Sequence, residues 1–183
     1  MAIKIKLYDT LSGKKKELNP RSDKKIGIFV CGPTVYDYSH IGHARTYIAF
    51  DAFVKYLKSQ EFEVRYVQNI TDIDDKIIAR ARELSLDPQE LARTYETEYM
   101  HDMEKLDVNS VDKYTRATDY IPQIISQVRR LEELGYAYKI AGEGIYFDIS
   151  KFKDYGKLSR RTTGQAEDAV SRIDVSVKKR YKG

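Results

Sequence analysis

A short apolar run that stops at a Gly-Pro pair constrains the fold of this chain more than any other stretch. Residues 26–31 read Ile-Gly-Ile-Phe-Val-Cys, which is typical of a buried strand, and Gly32-Pro33 cannot continue a strand. Ser39 then offers an N-cap, and apolar residues recur at helical spacing after it. The sequence therefore predicts a strand, a turn and a helix over residues 25–57.

The predicted helix has a wide apolar face. Its apolar residues advance in steps of three and four, and further apolar residues flank them. Because the face is so wide, we expect the helix to be largely buried. The stripe comprises Ile41, Ala44, Ile48, Ala52 and Tyr56, flanked by Phe50, Phe53 and Leu57.

Two of the three histidines lie at the start of this helix, His40 and His43, with Gly42 between them. Free backbone N–H groups and the helix dipole favour an anion there. Imidazoles donate hydrogen bonds to phosphate oxygens, and a glycine lets a flat ligand approach the backbone. The pattern predicts a nucleotide phosphate site. The alternative is two ordinary polar residues at a helix start.

A second strand is predicted after this helix. Residues 64–70 are rich in β-branched and aromatic residues and are bounded by polar turns. Strand, helix and strand form a βαβ unit, so the two strands should be parallel. Ligands of such sheets bind beyond the carboxyl ends of the strands, which is where residues 31–43 and 69–76 fall.

Two segments resemble the motifs of one enzyme family. Residues 31–45, Cys-Gly-Pro-Thr-Val-Tyr-Asp-Tyr-Ser-His-Ile-Gly-His-Ala-Arg, resemble the first nucleotide-binding motif of class I aminoacyl-tRNA synthetases. Their opening, Cys-Gly-x-Thr-Val-Tyr-Asp, resembles the cysteine-specific family, cysteinyl-tRNA synthetase. Residues 69–76, Asn-Ile-Thr-Asp-Ile-Asp-Asp-Lys, match the same family. The similarity runs from near Leu7 to the end of the chain.

The resemblance implies a fold and an activity. The implied fold class is α/β, with the first half of a Rossmann-like parallel-sheet nucleotide-binding domain over residues 1–114. An α+β connective insertion that faces the acceptor end of the tRNA would occupy residues 115–183. The implied activity is the ATP-dependent conversion of L-cysteine to cysteinyl adenylate and its transfer to tRNA(Cys).

The resemblance also implies roles for individual residues. Two would be catalytic by stabilising charge on the phosphates, and others would bind ATP, the amino acid or zinc. They are His40 and His43 (catalytic and ATP-binding), Thr34 and Gly42 (ATP-binding), Gly32 and Thr71 (substrate-binding) and Cys31 (zinc).

Cys31 is the only cysteine in the chain. A thiophilic metal separates cysteine from serine better than pocket shape does, and the resemblance implies one zinc ion, with Mg²⁺ accompanying ATP. The other implied zinc ligands, a cysteine, a histidine and a glutamate, and a Lys-Met-Ser-Lys-Ser loop are not in this sequence. We therefore expect the chain to be truncated and inactive alone. Without the resemblance, Cys31 would be an ordinary buried residue.

The second motif allows two other interpretations. Thr71 with Asp74 resembles a capping box for a helix that runs to Leu84, which would give Thr71 a structural role. Asp72 and Asp75 could instead offer hard oxygen ligands to a metal ion.

The rest of the chain predicts helices and two hairpins. Asp87-Pro88-Gln89-Glu90 is a helix start, followed by an apolar stripe with His101 at the surface. A loop over residues 107–118, a helix over 121–134 that stops at Gly135, and a hairpin over 136–149 come next. Ile3–Tyr8 and Glu17-Leu18 form a small hairpin at the start. The apolar stripe is Leu91, Tyr95, Tyr99, Met103 and Leu106.

Composition adds little. Thirty-two basic and 28 acidic residues give a net charge of +4, which suits a polyanionic partner without requiring one. The basic runs Lys14–Lys16 and Lys178–Lys182 are expected to be solvated. A single cysteine cannot form an internal disulfide, and no stretch reaches the roughly 18 apolar residues of a membrane span, so we expect a cytoplasmic protein. We also expect a monomer that does not bind membranes.

Two other functions stay open at this point. One is the related cysteine:glucosaminyl-inositol ligase of mycothiol synthesis, which binds no tRNA. Val35 and Arg45 favour the synthetase over that relative. The other is a short paralogue that acts as a binding module without catalysis.

Overall fold

The computed structural model describes residues 4–20 and 22–160. The strands and α-helices of these residues are, in chain order, β1 (Lys6–Asp9), β2 (Lys14–Glu17), β3 (Lys25–Val30), α1 (Ile41–Ser59), β4 (Glu63–Ile70), α2 (Asp75–Leu84), α3 (Pro88–Lys105), β5 (Lys113–Arg116), α4 (Ile121–Glu133), β6 (Ala137–Ile140) and β7 (Gly144–Phe147). Two short 3₁₀ helices, Ala117–Tyr120 and Ile149–Lys151, are also present.

The chain divides into two compact units. One comprises residues 19–125, and the other comprises residues up to 18 together with those from 126 onward. The first unit contains both sequence motifs. None of the described helices is long and apolar enough to cross a membrane. The basic run at residues 178–182 lies outside the described residues.

A three-stranded parallel sheet in the order β3-β4-β5 forms the centre of the first unit. Val30 pairs with Gln68, and Ile70 pairs with Arg116. The predicted βαβ unit and its parallel strands are confirmed. β5 was expected to be part of a loop, and that expectation is wrong, because its sequence, Lys-Tyr-Thr-Arg, becomes a strand by pairing with β4 rather than through an apolar pattern of its own.

The buried face of α1 is not the predicted one. Ile41 is 86% exposed, and Ile48 and Tyr56 are exposed as well, so the expectation of a largely buried helix is wrong. The helix has apolar residues around most of its circumference, so the apolar pattern alone could not select the inner face. The side chains that the fold does bury on this helix are Tyr47, Asp51, Val54 and Leu57.

Asp51 shows why a polar residue lies on that buried face. Its carboxylate accepts the backbone N–H groups of Asn109 and Ser110 at 3.0 and 2.8 Å, and it pairs with Lys55 at 2.8 Å. Burial opposes ionisation, but these hydrogen bonds outweigh it and lower the pKa of Asp51. The carboxylate therefore fastens α1 to the segment that leads into β5.

The starts of α2 and α3 differ in how well they were predicted. Asp74, not Thr71, is the N-cap of α2, and its side chain accepts the Lys76 N–H at 2.9 Å, so the Thr71 capping box is wrong. Asp87 caps α3 as predicted, with Pro88 at the first helical position.

The predicted apolar stripe of α3 is buried for most of its length. Leu91, Tyr99 and Met103 are buried and Tyr95 is half-buried. Leu106 lies just beyond the helix and is exposed, and His101 is exposed as predicted.

The second unit holds two antiparallel pairs. β1 pairs with β2, and β6 pairs with β7, with Ala137 opposite Phe147 and Ile140 opposite Gly144. Gly135 follows α4 with a φ of +76°, a left-handed conformation that suits glycine at a helix end. Both predicted hairpins and the predicted helix stop are confirmed.

Candidate functional site

The two sequence motifs meet at the carboxyl ends of β3 and β4. Thr34 and Thr71 form a parallel bridge just beyond the strands. The Thr71 N–H donates to the Pro33 carbonyl at 3.0 Å, and the Val35 N–H donates to the Thr71 carbonyl at 3.2 Å. The structure therefore brings Gly32, Thr34 and Thr71 together, as the parallel βαβ arrangement predicts.

Gly32 is the point of closest approach between the motifs. A Cβ at this position would overlap the backbone carbonyl of Asn69 and would lie 3.1 Å from Cγ of Gln68. Glycine is therefore required here by packing of one backbone against another, a reason that stands beside the predicted contact with substrate.

Asn69 is a site residue that the sequence interpretation did not single out. Its Oδ1 accepts the Gly32 N–H at 2.9 Å, and its Nδ2 donates to Oγ1 of Thr71 at 3.1 Å. One side chain thus bridges the two motifs. The sequence feature that could have identified Asn69 is its position, at the carboxyl end of a predicted strand and two residues before Thr71.

The two histidines secure the start of α1. His40 is the N-cap, and its Nδ1 accepts the Gly42 N–H at 3.0 Å. The His40 N–H in turn donates to Nδ1 of His43 at 3.2 Å, which completes a reciprocal capping box. The prediction that Ser39 caps this helix is therefore wrong, because the imidazole of the next residue takes that role.

These hydrogen bonds define which ring nitrogens carry protons. A backbone N–H can only donate, so Nδ1 of His40 and Nδ1 of His43 must be unprotonated acceptors. In each neutral ring the proton is then on Nε2. The ring centroids are 4.1 Å apart, His40 is exposed and His43 is half-buried. The pair therefore presents two adjacent N–H donors, the group that a phosphate oxygen accepts.

The environment of His43 favours its neutral form. Burial, and then the nearby charge of His40, lower the pKa of His43. Burial disfavours a positive charge on His43, and the adjacent imidazole disfavours two positive charges at the same helix start. A neutral His43 keeps Nδ1 available to the His40 N–H.

Gly42 has a structural role in this arrangement. A Cβ on Gly42 would lie 2.7 Å from Cε1 and 2.9 Å from Nδ1 of His40. The absence of a side chain therefore makes room for the capping ring of His40. The approach of a ligand to the Gly42 backbone stays a prediction.

Tyr47 connects the histidines to Cys31. Its ring stacks on His43 with centroids 6.3 Å apart, and its hydroxyl donates to the Cys31 carbonyl at 3.4 Å. Burial raises the pKa of Tyr47 to about 12, so the hydroxyl stays protonated and able to donate. The sequence interpretation missed Tyr47, although it lies one helical turn after His43.

Cys31 is exposed, not buried, and within the described part of the chain its thiol makes one weak hydrogen bond, to the Gly32 carbonyl at 3.8 Å. Within residues 4–20 and 22–160, no group of three or more histidine, cysteine, aspartate or glutamate side chains could hold a metal ion. The described residues thus supply at most one thiol ligand to zinc.

Asp72 is not available to a metal ion. It is buried, its carboxylate accepts the N–H of Thr118 at 3.0 Å and the hydroxyl of the same residue, and it pairs with Arg93 at 3.4 Å. Arg93 also pairs with the buried Glu96 at 2.8 Å, and Arg116 pairs with Glu96 at 2.7 Å. The carboxylate of Asp72 therefore links the second motif to residues before α4, and the alternative metal site at Asp72 and Asp75 is not supported.

The sequence matches one protein family and several known proteins over most of its length. Residues 17–183 match the model of the family described as "tRNA synthetases class I (C) catalytic domain". A cysteine–tRNA ligase of Thermoplasma volcanium is 51% identical over 159 residues, which are 87% of this chain and 35% of that protein. A cysteine–tRNA ligase of Pyrococcus abyssi is 52% identical over 155 residues, which are 85% of this chain and 32% of that protein. The chain thus spans about a third of the length of these relatives.

Among solved structures, the fold resembles Mycobacterium tuberculosis methionyl-tRNA synthetase in complex with methionyl-adenylate. The TM-score is 0.56 at 23% sequence identity, and the match covers 62% of this chain and 22% of the other. This likeness shows that the chain has the α/β fold of a class I synthetase.

Proposed function

Because the chain belongs to the family "tRNA synthetases class I (C) catalytic domain", we propose that it is part of a cysteine–tRNA ligase. The observation that supports this most is the arrangement of His40 and His43, which present two Nε2–H donors beside the carboxyl ends of parallel strands. Identities of about 50% to cysteine–tRNA ligases support the choice of amino acid.

The proposed reaction has two steps. The carboxylate of L-cysteine attacks the α-phosphorus of ATP, which forms cysteinyl adenylate and releases pyrophosphate. A terminal ribose hydroxyl of tRNA(Cys) then attacks the carbonyl carbon of the adenylate, takes the cysteinyl group and releases AMP. The first step moves negative charge onto the departing pyrophosphate.

His40 and His43 would stabilise that charge. Their Nε2–H groups are fixed in place by the hydrogen bonds at Nδ1, so they need no reorganisation when the charge develops. Their role would be electrostatic and would not involve proton transfer. Thr34 and Gly42 would complete the ATP site, and Gly32 and Thr71 would line the amino-acid pocket.

Zinc and magnesium belong to this proposal as well. Mg²⁺ would accompany ATP. The exposed thiol of Cys31 would be one ligand of a zinc ion, and the affinity of zinc for a thiolate would supply the distinction between cysteine and serine. The described residues do not form a zinc site by themselves.

The division into a catalytic half and an insertion remains part of the proposal. Residues 1–114 would carry the first half of the nucleotide-binding domain. Residues 115–183 would form the connective insertion near the tRNA acceptor end. We also propose that the protein is cytoplasmic, where Cys31 would stay reduced.

The experiment that tests this function is cysteine-dependent exchange of pyrophosphate into ATP by the full-length protein, followed by charging of tRNA(Cys). We expect both reactions, with serine as the control amino acid that supports neither. Exchange without charging, but with transfer of cysteine to a glucosaminyl-inositol, would identify the ligase of mycothiol synthesis instead. No exchange at all would favour a non-catalytic binding module.

A further inference from the structure

The side chain of Asn69 has a defined orientation. The backbone N–H of Gly32 can only donate, so the amide atom that faces it at 2.9 Å must be the oxygen. The amide nitrogen therefore faces Oγ1 of Thr71, at 3.1 Å. This orientation follows from the chemistry of the partners and not from an arbitrary choice between oxygen and nitrogen.

The orientation of Asn69 determines what the Thr71 hydroxyl can do. Because Nδ2 of Asn69 only donates, Oγ1 of Thr71 accepts in that hydrogen bond, and its proton must point elsewhere. Asn69 is the one hydrogen-bond partner that the described part of the chain offers this hydroxyl. The O–H of Thr71 is therefore left as a donor for a ligand.

The backbone around Thr71 is held as well. Its N–H and its carbonyl both bond to the first motif, at Pro33 and Val35. Gly32 packs directly against the Asn69 backbone. With the main chain held on both sides, Asn69 restricts the hydroxyl further, because the hydrogen bond that Oγ1 accepts keeps its proton from pointing toward Asn69.

We propose that Asn69 is a positioning residue that presents the Thr71 hydroxyl as a hydrogen-bond donor to an acceptor atom of the bound amino acid. The inference rests on the proposed function, in which Thr71 contacts cysteine. Asn69 itself touches no reacting atom. It acts by setting the polarity of one hydrogen bond.

The substitution Asn69→Asp tests this because it keeps the shape of the bridge and reverses its polarity. The new carboxylate can accept the Gly32 N–H as before, but it can only accept from Thr71, so it takes the hydroxyl proton away from the ligand. In pyrophosphate exchange by the full-length protein, the KM for cysteine should rise about tenfold. The KM for ATP should stay within about twofold.

Two control variants accompany this one. Gln89→Glu adds the same charge at an exposed position in the first turn of α3 and should change neither KM. Thr71→Ser keeps the hydroxyl as a donor, so it should raise the KM for cysteine less than Thr71→Val does.

A double-mutant cycle gives the decisive result. Thr71→Val removes the hydroxyl, so Asn69→Asp in that background should raise the KM for cysteine by less than about twofold. An equal rise in both backgrounds would overturn the inference. If Asn69→Asp does not fold, Asn69→Ala takes its place in the same cycle, and additive effects would again overturn the inference.

Failure of the inference and failure of the proposed function give different results. A full-length parent protein without cysteine-dependent exchange contradicts the proposed function itself. An active parent protein whose two substitutions act additively contradicts the role of Asn69 alone.

Discussion

The backbone N–H of His40 donates to Nδ1 of His43, and Nδ1 of His40 accepts the N–H of Gly42. The helix start is therefore held by the inner nitrogens of the same two rings whose outer nitrogens we propose for phosphate. The same two side chains thus cap the helix through Nδ1 and, as we propose, bind phosphate through Nε2. Substitutions can separate the capping role from the phosphate role.

Replacing His40 separates capping from phosphate binding. Asparagine is a good N-cap, so His40→Asn should keep the Gly42 N–H bonded, whereas His40→Ala should cost about 1 kcal/mol at the helix start. Amide hydrogen exchange at Gly42 should accelerate about fivefold in the alanine variant only. Both variants lack the Nε2–H donor, so adenylate formation should slow equally in the full-length protein. A slow alanine variant beside a fast asparagine variant would show that capping was the important role.

Replacing His43 tests the electrostatic role. In the full-length protein, His43→Ala should slow adenylate formation about 100-fold or more, because a fixed donor to the developing charge is lost. Cysteine binding should weaken by less than about threefold. Pre-steady-state measurement of adenylate formation, with cysteine affinity measured separately, checks this. Equal losses in both quantities would argue against a role at the phosphates.

The lowered pKa of His43 predicts how stability depends on pH. The folded state binds fewer protons than the unfolded state between the lowered pKa and the ordinary value of 6.5, so stability should rise with pH across that interval. The contribution of His43 is complete above about pH 6.5 and is lost as the pH falls toward the pKa of the folded state. Urea unfolding at a series of pH values measures this slope.

The matched variant for the pH experiment is His43→Gln. Glutamine is a regular member of capping boxes at this position, so it can accept the His40 N–H without titrating. The slope should become shallower in this variant. An unchanged slope would assign the pH dependence to other groups.

Two glycines of the same region should respond differently to alanine. A Cβ on Gly32 would overlap the Asn69 carbonyl, whereas a Cβ on Gly27 in β3 has no atom within 4 Å. Gly32→Ala should therefore destabilise the fold by about 2 kcal/mol or more, and Gly27→Ala should change stability by less than about 1 kcal/mol. Urea unfolding of both variants measures this. Equal effects would mean that the motifs do not meet at Gly32.

The sequence predicts those parts of the fold whose signals are local. The apolar run before Gly32-Pro33 and the cap at Asp87 each depend on neighbouring residues, and the strand and the helix that they predict are present. The parallel pairing of β3 and β4 follows from the order of elements. The meeting of Thr34 with Thr71 then follows from the geometry of parallel sheets.

The features that the sequence could not predict depend on contacts between distant residues. β5 is a strand because β4 supplies a partner for its backbone. Asp51 is buried because residues 109 and 110 offer it two N–H donors. The bridge from Asn69 to Gly32 joins residues that are 37 positions apart, so no short motif contains it.

Among the described strands, β3 lies at one edge of its sheet and pairs only with β4, and the side chain of Phe29 in this strand is 67% exposed. An unpaired strand edge offers backbone N–H and C=O groups with which a strand of another molecule can pair. Preparations limited to residues 1–183 should therefore show particle sizes in light scattering that grow with protein concentration. A low protein concentration and a fused solubility tag should limit this association in NMR or crystallisation trials of residues 1–183.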